Sequence, residues 1–340
     1  MRAFKALENQ LGHTIQVPSF SQLTLFGYYF YTPTVLKSAT VIMETNFKSF
    51  AEEVKAANIN CKNTRLRDIM DKLVDHLHDF VRETSLTITE WRTAIKFLAS
   101  AGSQNGETQF DILSDILGIT TLIHDINYGK PSGATEAVLL GPFFKENARE
   151  VQQGDSIASE GKGEYLYIEG RVLDLAGNPI SGAILDIWEA DDSGLYDVQY
   201  QGLEDCRGRI RTALDGSYAF RAVIPVPYPI PDKGPAAGLI SALGRHFYRP
   251  AHVHVVIQAP GYESVVTQLY FKGDPYLTSD ITFGVKPSLV VAPEIVNNIA
   301  LSKARGFKEP RSHAYVYKEF VLATPDQADS VRKMRTENQQ

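Results

Sequence analysis

The chain has 340 residues, of which 44% are hydrophobic and 22% charged, and its formal net charge is −6. These values are typical of a soluble globular protein of about two domains that folds without disulfides or a structural metal. The acidic balance, without a Lys/Arg cluster, argues against nucleic acid as a partner. No apolar stretch approaches the roughly 20 residues of a membrane span, so we do not expect a membrane protein. Two distant cysteines fit a reducing, cytoplasmic compartment.

Apolar residues recur at helical spacing up to about residue 128. Thr87 and Glu90 have the spacing of a capping box at the start of one helix, which Gly102 would end. A helix before it is predicted from seven positions on one face: Leu66, Ile69, Met70, Leu73, Leu77, Phe80 and Val81. A helix after it is predicted through Phe110, Leu113, Leu117 and Leu122. We interpret these stripes as core or as a dimer interface.

Short β-branched and aromatic runs follow residue 160 and are separated by turn residues. Such runs predict a sandwich of short strands. The predicted strands cover residues 165–173, 183–189, 218–224, 251–258, 264–272 and 314–322. The predicted fold class is mainly β, an antiparallel β-sandwich preceded by an α-helical region.

Changes in pattern divide the chain into four predicted segments. Residues 1–40 lack a clear period and form an extension of unknown role. A helical domain with its turn-rich linker covers residues 41–145, and the sandwich domain covers residues 146–330. Residues 331–340 form a C-terminal tail.

A pair of histidines carries the clearest chemical signal. The nucleophile elbow, the P-loop, G-x-G-x-x-G, H-E-x-x-H and paired cysteines at metal spacing are all missing from the sequence. Alternate residues of a strand share a face, so His252 and His254 would project together while Ala251, Val253 and Val255 face the core. Two such imidazoles suit zinc, copper or iron. Alternatively, both are exposed or hydrogen-bonded.

Two tyrosines follow turn segments. Five of the 17 prolines lie between Pro225 and Pro235 and predict a stiff loop, incompatible with a sheet, that holds Tyr228. Tyr196 follows a turn beyond the strand that contains Trp188. Either tyrosine could be ordinary packing, and the acidic residues before Tyr196 lack the spacing of a calcium loop.

In order and spacing, these segments resemble the intradiol ring-cleaving dioxygenases, non-haem iron(III) enzymes of the catechol and hydroxyquinol 1,2-dioxygenase type. The matching motifs are Gly194-Leu195-Tyr196, the proline-rich Tyr228 loop and Arg249-Pro250-Ala251-His252-Val253-His254. Tyr228 precedes His252 by 24 positions, and Gln268 follows His254 by 14. The resemblance covers roughly residues 44–325.

The resemblance implies one non-haem Fe(III) per subunit, bound by Tyr196, Tyr228, His252 and His254 with a solvent hydroxide as fifth ligand. Two phenolates favour the ferric state, whereas zinc usually takes Cys, His and carboxylate ligands. Tyr228 would leave the metal when substrate binds, and Tyr196 would stay.

Two further residues receive roles from the resemblance. Arg249 would stabilise negative charge that develops on the ring, unless it is a surface ion-pair partner. Gln268, on an otherwise apolar strand, would lie near the substrate or His252, unless it is simply a satisfied core amide.

The resemblance also places Asp115, Leu139, Leu140 and Gly141 at the substrate cavity. Local segments such as Phe283-Gly284-Val285-Lys286 look closest to hydroxyquinol 1,2-dioxygenases. A carboxylate at position 115 could accept a hydrogen bond from a third ring hydroxyl, although it could equally be solvated. The expected reaction converts hydroxyquinol (benzene-1,2,4-triol) and O₂ to maleylacetate, with catechol giving cis,cis-muconate as the alternative.

Two other classes of function compete with this interpretation. One is a transthyretin-like binding module without a catalytic metal, because fold does not dictate function. The other is a zinc or copper hydrolase that uses His252 and His254. The resemblance further implies a homodimer formed through the helical domain, with a phospholipid as an additional possible ligand at its interface.

Overall fold

The computed structural model describes residues 50–103, 106–200 and 204–337. The extension predicted over residues 1–40 lies outside the described residues. The chain divides into two compact units between Trp91 and Arg92. No helix in the described ranges is long and apolar enough to cross a membrane.

The first unit contains helical residues 50–57 and helix α1 (Thr64–Thr84). Asn63 caps α1 by accepting the Leu66 N–H at 3.0 Å, and Ser85 ends it in the left-handed conformation. The seven predicted apolar positions all lie on α1, which confirms that helix. Each of them is between 38% and 51% exposed, so the described residues do not bury this stripe.

Helix α2 (Ile88–Ser103) begins with the predicted capping box. The Thr87 N–H donates to Glu90 Oε2 at 2.9 Å, and the Glu90 N–H donates to Thr87 Oγ1 at 3.3 Å. The helix extends to Ser103, one residue past the predicted stop at Gly102.

The helix predicted through Phe110 and Leu122 is wrong as a single element. The chain forms two helices there, α3 (Gly106–Ile116) and α4 (Ile119–Asn127). Gly118 separates them with a φ of +71°, a left-handed conformation that glycine adopts without a Cβ penalty. The apolar period continues across this break, so it could not reveal it.

The sandwich consists of a four-stranded sheet in the order β10-β11-β1-β4, a five-stranded sheet in the order β3-β2-β7-β8-β9, and a small β5-β6 ladder. The strands are β1 Tyr165–Asp174, β2 Ile184–Glu189, β3 Arg207–Arg211, β4 Ser217–Val223, β5 Tyr228–Pro229, β6 Tyr248–Arg249, β7 His252–Gln258, β8 Val265–Phe271, β9 Val290–Val291, β10 Glu294–Val296 and β11 His313–Leu322. Helices α5 (Pro235–Ala242), α6 (Ile299–Ala304) and α7 (Pro325–Glu337) complete the unit. All six predicted strands are confirmed.

The sheets are mixed, which corrects the prediction of a purely antiparallel sandwich. β11 pairs with β1 in parallel, as β9 does with β8, and the other pairs are antiparallel. Alternation of apolar residues indicates which face of a strand is buried, but it carries no information on strand direction.

The prediction that the proline-rich segment is incompatible with a sheet is wrong. Tyr228 pairs with Arg249, and Pro229 with Tyr248, in the two-residue β5-β6 ladder. Proline is tolerated on an edge of this kind, where its missing N–H breaks no central ladder. The ladder therefore joins the Tyr228 segment directly to the start of the histidine segment.

One carboxyl group lies inside the sandwich. Glu189, at the end of β2, is buried, and its Oε1 accepts the Val223 N–H at 3.0 Å. Its Oε2 is buried without a hydrogen-bond partner among the described residues. Burial raises the pKa of Glu189 well above its usual value of 4.5, so folding favours the protonated form of this side chain.

We expect the free energy of unfolding of Glu189→Gln to increase relative to that of the wild type as pH rises from 5 to 8. The unfolded wild type releases the proton near its ordinary pKa while the folded state retains it. Stability is therefore lost above the unfolded pKa, by about 1.4 kcal/mol per pH unit until the folded pKa is reached. Urea unfolding at both pH values measures the difference, with the exposed Glu83→Gln as control. Parallel pH profiles for the wild type and Glu189→Gln would contradict this account.

Candidate metal centre

Four side chains from three parts of the second unit converge. Tyr196 Oη lies 3.4 Å from Tyr228 Oη and 3.4 Å from His252 Nε2. His252 Nε2 in turn lies 3.5 Å from Tyr228 Oη and 3.0 Å from His254 Nε2. All four residues are buried. Two phenol oxygens and His252 Nε2 thus lie within 3.4–3.5 Å of one another, and His254 Nε2 adjoins His252 Nε2.

Strand alternation positions the two histidines. Ala251, Val253 and Val255 belong to the apolar core, as predicted, and His252 and His254 occupy the opposite face of β7. The sequence alternative of exposed imidazoles is excluded, because both rings are buried.

A turn locked by hydrogen bonds presents Tyr196. Asp191 Oδ1 accepts the N–H groups of Ser193 and Leu195 at 3.0 and 3.3 Å. The Tyr196 N–H donates to Gln199 Oε1 at 2.9 Å. Gly194 has a φ of +75°, and a Cβ there would lie 3.2 Å from Tyr228 Cβ. Glycine is therefore needed where the two tyrosine segments approach each other.

Aromatic packing and a buried ion pair fix the tyrosine ring. Phe143 stacks on Tyr196 with ring centroids 4.5 Å apart. Arg207 Nη2 donates to Phe143 O at 2.7 Å and to Asp197 Oδ1 at 2.6 Å. The Phe143 ring therefore holds one face of Tyr196. The ion pair with Arg207 fixes Asp197, the next residue in the chain.

Neighbouring groups set the orientation of both imidazoles. His252 Nδ1 donates to Pro250 O at 2.7 Å, which leaves the lone pair on Nε2. Trp188 stacks on His254 with centroids 4.5 Å apart. The Gln268 amide nitrogen lies 3.1 Å from His254 Nδ1 and 3.1 Å from Leu139 O. His252 Nε2 therefore faces the tyrosine oxygens, and His254 Nε2 lies beside it.

Burial keeps the two imidazoles and the Tyr196 phenol uncharged in the absence of a cation. It lowers the pKa of His252 to about 3, with the Arg249 charge adding to the effect, and it lowers the pKa of His254 well below its usual value. Burial, with Tyr228 beside it, raises the pKa of Tyr196 well above its usual value. Neutral imidazoles suit a metal, and the Tyr196 phenol would ionise only beside a cation.

Arg249 lies against this cluster. Its Nη1 is 3.3 Å from His252 Nε2, and its Nη2 donates to Gln268 Oε1 at 3.1 Å and to Tyr270 Oη at 3.2 Å. Asp280 receives both the Nε and Nη2 groups at 3.3 Å. Arg249 is buried, so the alternative of a surface ion pair is wrong.

Comparisons with known proteins agree with this geometry. The family profile described as "Dioxygenase" matches residues 139–323, and the one described as "Catechol dioxygenase N terminus" matches residues 63–135. The intradiol ring-cleavage dioxygenase hqdA of Aspergillus niger is 40% identical over 288 residues, which are 84% of this chain and 87% of the relative. The chain belongs to the intradiol ring-cleavage dioxygenases.

Two further relatives are similar to this intradiol dioxygenase over most of its length. A hydroxyquinol 1,2-dioxygenase of a Rhizobium species is 43% identical over 262 residues, 76% of this chain and 89% of its own. The solved structure of hydroxyquinol 1,2-dioxygenase from Pseudomonas putida DLL-E4 matches with a TM-score of 0.78 at 39% identity, over 83% of this chain and 99% of that chain. Family membership makes the chain an enzyme, which overturns the alternative of a metal-free binding module.

The donor set fits the non-haem iron that intradiol dioxygenases use. Metal–nitrogen and metal–oxygen bonds of about 2.0–2.2 Å place neighbouring ligand atoms about 3 Å apart. The separations between the phenol oxygens and His252 Nε2 are 3.4–3.5 Å, and the two imidazole nitrogens are 3.0 Å apart. Hard phenol oxygens with imidazoles, and no thiol, suit a ferric ion.

Two of the residues predicted at the substrate cavity, Leu139 and Gly141, lie beside the Gln268 and His254 side chains of the intradiol dioxygenase site. Leu139 O binds Gln268, and a Cβ on Gly141 would lie 3.2 Å from His254 Cε1. Leu140, between them, is exposed. Asp115 lies on α3; burial raises its pKa, while a hydrogen bond to Thr120 and the charge of Arg249 act in the opposite direction. Asp115 is thus within electrostatic reach of Arg249.

Gln268 contacts His254 rather than His252, and two residues around it were not predicted. Tyr270 Oη donates to Gln268 Oε1 at 2.5 Å and sits opposite His252 in the β7-β8 ladder. Its spacing of two from Gln268 on one strand is a signal that could have placed it there. Asp280, 31 residues from Arg249, has no comparable local signal.

Proposed function

We propose that this intradiol dioxygenase cleaves hydroxyquinol with O₂ between its two adjacent hydroxylated carbons and forms maleylacetate. Both oxygen atoms enter the product. The convergence of Tyr196, Tyr228, His252 and His254 carries the proposal, with one Fe(III) per subunit bound by these four residues. The bound ferric ion would supply a Lewis acid and a template for the diol and O₂. Catechol cleavage to cis,cis-muconate is the alternative.

The two tyrosines have different roles in this proposal. Tyr228 is 9% exposed and Tyr196 0%, so Tyr228 is the one nearer to solvent. Tyr196 is held by the Phe143 ring and by its own turn, whereas Tyr228 lies on the two-residue β5 strand. As the diol binds, Tyr228 Oη accepts one of its protons and moves aside, while Tyr196 remains in place.

Arg249 stabilises negative charge that develops on the substrate ring. Its Nη1 faces the ligand cluster, while Gln268, Tyr270 and Asp280 hold its other nitrogen atoms. A buried, preoriented cation acts more strongly there than in water, because little solvent screens it and nothing needs to reorient during the reaction.

Asp115 provides the preference for a third hydroxyl group. Its side chain is partly buried and lies close enough to Arg249 to sense its charge. A carboxylate in that place accepts a hydrogen bond from the hydroxyl that hydroxyquinol has and catechol lacks. In this proposal Leu139, Leu140 and Gly141 also line the substrate cavity. The hydroxyquinol 1,2-dioxygenases among the relatives support this substrate.

We expect the protein purified without chelator to contain one iron per chain, to be wine-red, and to consume hydroxyquinol and O₂ in equal amounts. The colour arises because phenolates bound to iron(III) absorb visible light by charge transfer. Metal analysis, a visible spectrum and oxygen uptake measure these properties. His254→Gln should lose iron and colour, whereas His76→Gln, on the exposed face of α1, should keep both. Stoichiometric zinc or copper, or colourless bound iron, would contradict the proposal.

Asp115→Asn should lower kcat/KM for hydroxyquinol about tenfold and leave catechol within about twofold. The variant weakens one charge-assisted hydrogen bond that only hydroxyquinol makes. Steady-state kinetics with both substrates measure the ratio. Asp111→Asn, one helical turn earlier and exposed, is the matched control. An equal loss on both substrates would remove Asp115 from substrate selection.

We also propose a cytoplasmic homodimer formed through the helical region, with a phospholipid at the interface. The apolar stripe on α1 supports the dimer, since it stays half exposed in the part of the chain that the structure describes. Light scattering should give twice the chain mass, and Leu73→Glu should give a monomer. Leu214→Glu, at a position that is 91% exposed, should remain dimeric. A monomeric wild type would contradict the dimer. The lipid is tested separately, by mass spectrometry of a solvent extract of the purified protein.

A further inference from the structure

We propose that Asp280 is a positioning residue that sets the direction of the Arg249 guanidinium and couples it to the turn over residues 280–284. This inference rests on the proposed function, because the role of Arg249 belongs to it. Among the described residues, Asp280 forms hydrogen bonds with Arg249, Thr282 and Gly284 and with none of the four donor residues.

The contact between the two side chains selects which nitrogen faces the site. Asp280 Oδ1 receives the Arg249 Nε group and Oδ2 receives Nη2, both at 3.3 Å. This pairing uses one edge of the planar guanidinium and leaves Nη1 to approach His252 Nε2 at 3.3 Å. Both residues are buried, so each charge depends on the other for compensation.

The backbone fixes the carboxylate of Asp280 in turn. Oδ2 accepts the Gly284 N–H at 2.9 Å, and Oδ1 accepts the Thr282 N–H at 3.3 Å. The Thr282 hydroxyl lies within 3.2–3.3 Å of both oxygens. The turn thus surrounds the carboxylate. A further hydrogen bond, from Thr121 Oγ1 to Thr282 O at 2.8 Å, connects the turn to α4. These hydrogen bonds leave the Asp280 carboxylate, and with it the Arg249 guanidinium, little freedom to move.

The turn also packs directly against the guanidinium. A Cβ on Gly284 would lie 3.0 Å from Arg249 Nη2 and 3.1 Å from Tyr270 Oη. Phe283, one residue earlier, has a φ of +58°, which a bulky side chain rarely adopts. The hydrogen bonds that the N–H groups on either side of Phe283 donate to Asp280 help to hold this conformation. A change at Asp280 thus reaches both Arg249 and the turn.

The other partners of Arg249 cannot replace Asp280. Gln268 and Tyr270 are neutral and both bind Nη2, whereas only Asp280 supplies a negative charge and reaches Nε. In Asp280→Asn, the amide would place N–H groups against N–H groups of Arg249 or of the turn. The guanidinium should then rotate away from its present direction.

The test measures kcat and KM of the iron-loaded enzyme with hydroxyquinol. Asp280→Asn should lower kcat at least about tenfold and change KM less than about threefold, because misplacement by about 1 Å weakens transition-state stabilisation. Iron content and visible spectrum should match the wild type. Asp186→Asn, which breaks the ion pair of another buried aspartate with the partly buried Arg209, should keep kcat within about twofold.

A double-mutant cycle separates positioning from a general structural role. If Asp280 acts through Arg249, then Asp280→Asn should change kcat less than about threefold in an Arg249→Gln background. An equal loss in both backgrounds would overturn the inference. Gly284→Ala, which presses on Nη2 from the turn, should follow the same pattern and serves if Asp280→Asn fails to fold.

A crystal structure of Asp280→Asn distinguishes failure of this inference from failure of the proposed function. We expect Arg249 Nη1 to move by about 1 Å or more from its place beside His252 Nε2. If it moves and kcat does not fall, the role proposed for Arg249 is wrong. If Nη1 keeps its place, Asp280 does not position it.

Discussion

Alternation along β7 is the constraint on which the site depends. Val253 and Val255 belong to the core between the two sheets, so a slip of one residue would replace them there with the two histidines and disrupt the core. His252 and His254 must then share the opposite face, with their Nε2 atoms 3.0 Å apart. The hydrophobic core therefore sets the spacing of the histidine pair, and the two tyrosine segments need only be brought to it.

The second constraint is that charged groups in this buried site must be neutralised by a partner. The imidazoles are kept neutral and the Tyr196 phenol keeps its proton because burial penalises their charged forms. Arg249 is the exception, and its partner Asp280 compensates the charge. A trivalent cation bound by two phenolates would fit this arrangement, since the ligands would then carry charge only where the metal balances it.

Much of the architecture follows from local sequence. The six long strands, α1 and the capping box of α2 depend on residues that lie close together in the chain, and the sequence predicts them correctly. Strand direction depends on contacts such as that of β1 with β11, far apart in sequence, and Gly118 interrupts a helix without interrupting its apolar period. Within the site, alternation indicates the histidine pair, and the family resemblance adds Tyr196, Tyr228, Arg249 and Gln268. Asp280 lies outside such patterns, because its partner is 31 residues away.

Resonance Raman spectroscopy of the iron-loaded protein tests most directly whether Tyr196 and Tyr228 share one ferric ion. Two sets of tyrosinate vibrations should be enhanced, and Tyr196→Phe and Tyr228→Phe should each remove a different set. Tyr270→Phe, which alters a buried tyrosine outside the proposed ligand set, should leave both in place. A spectrum without tyrosinate vibrations, or one that either ligand substitution leaves intact, would contradict the account.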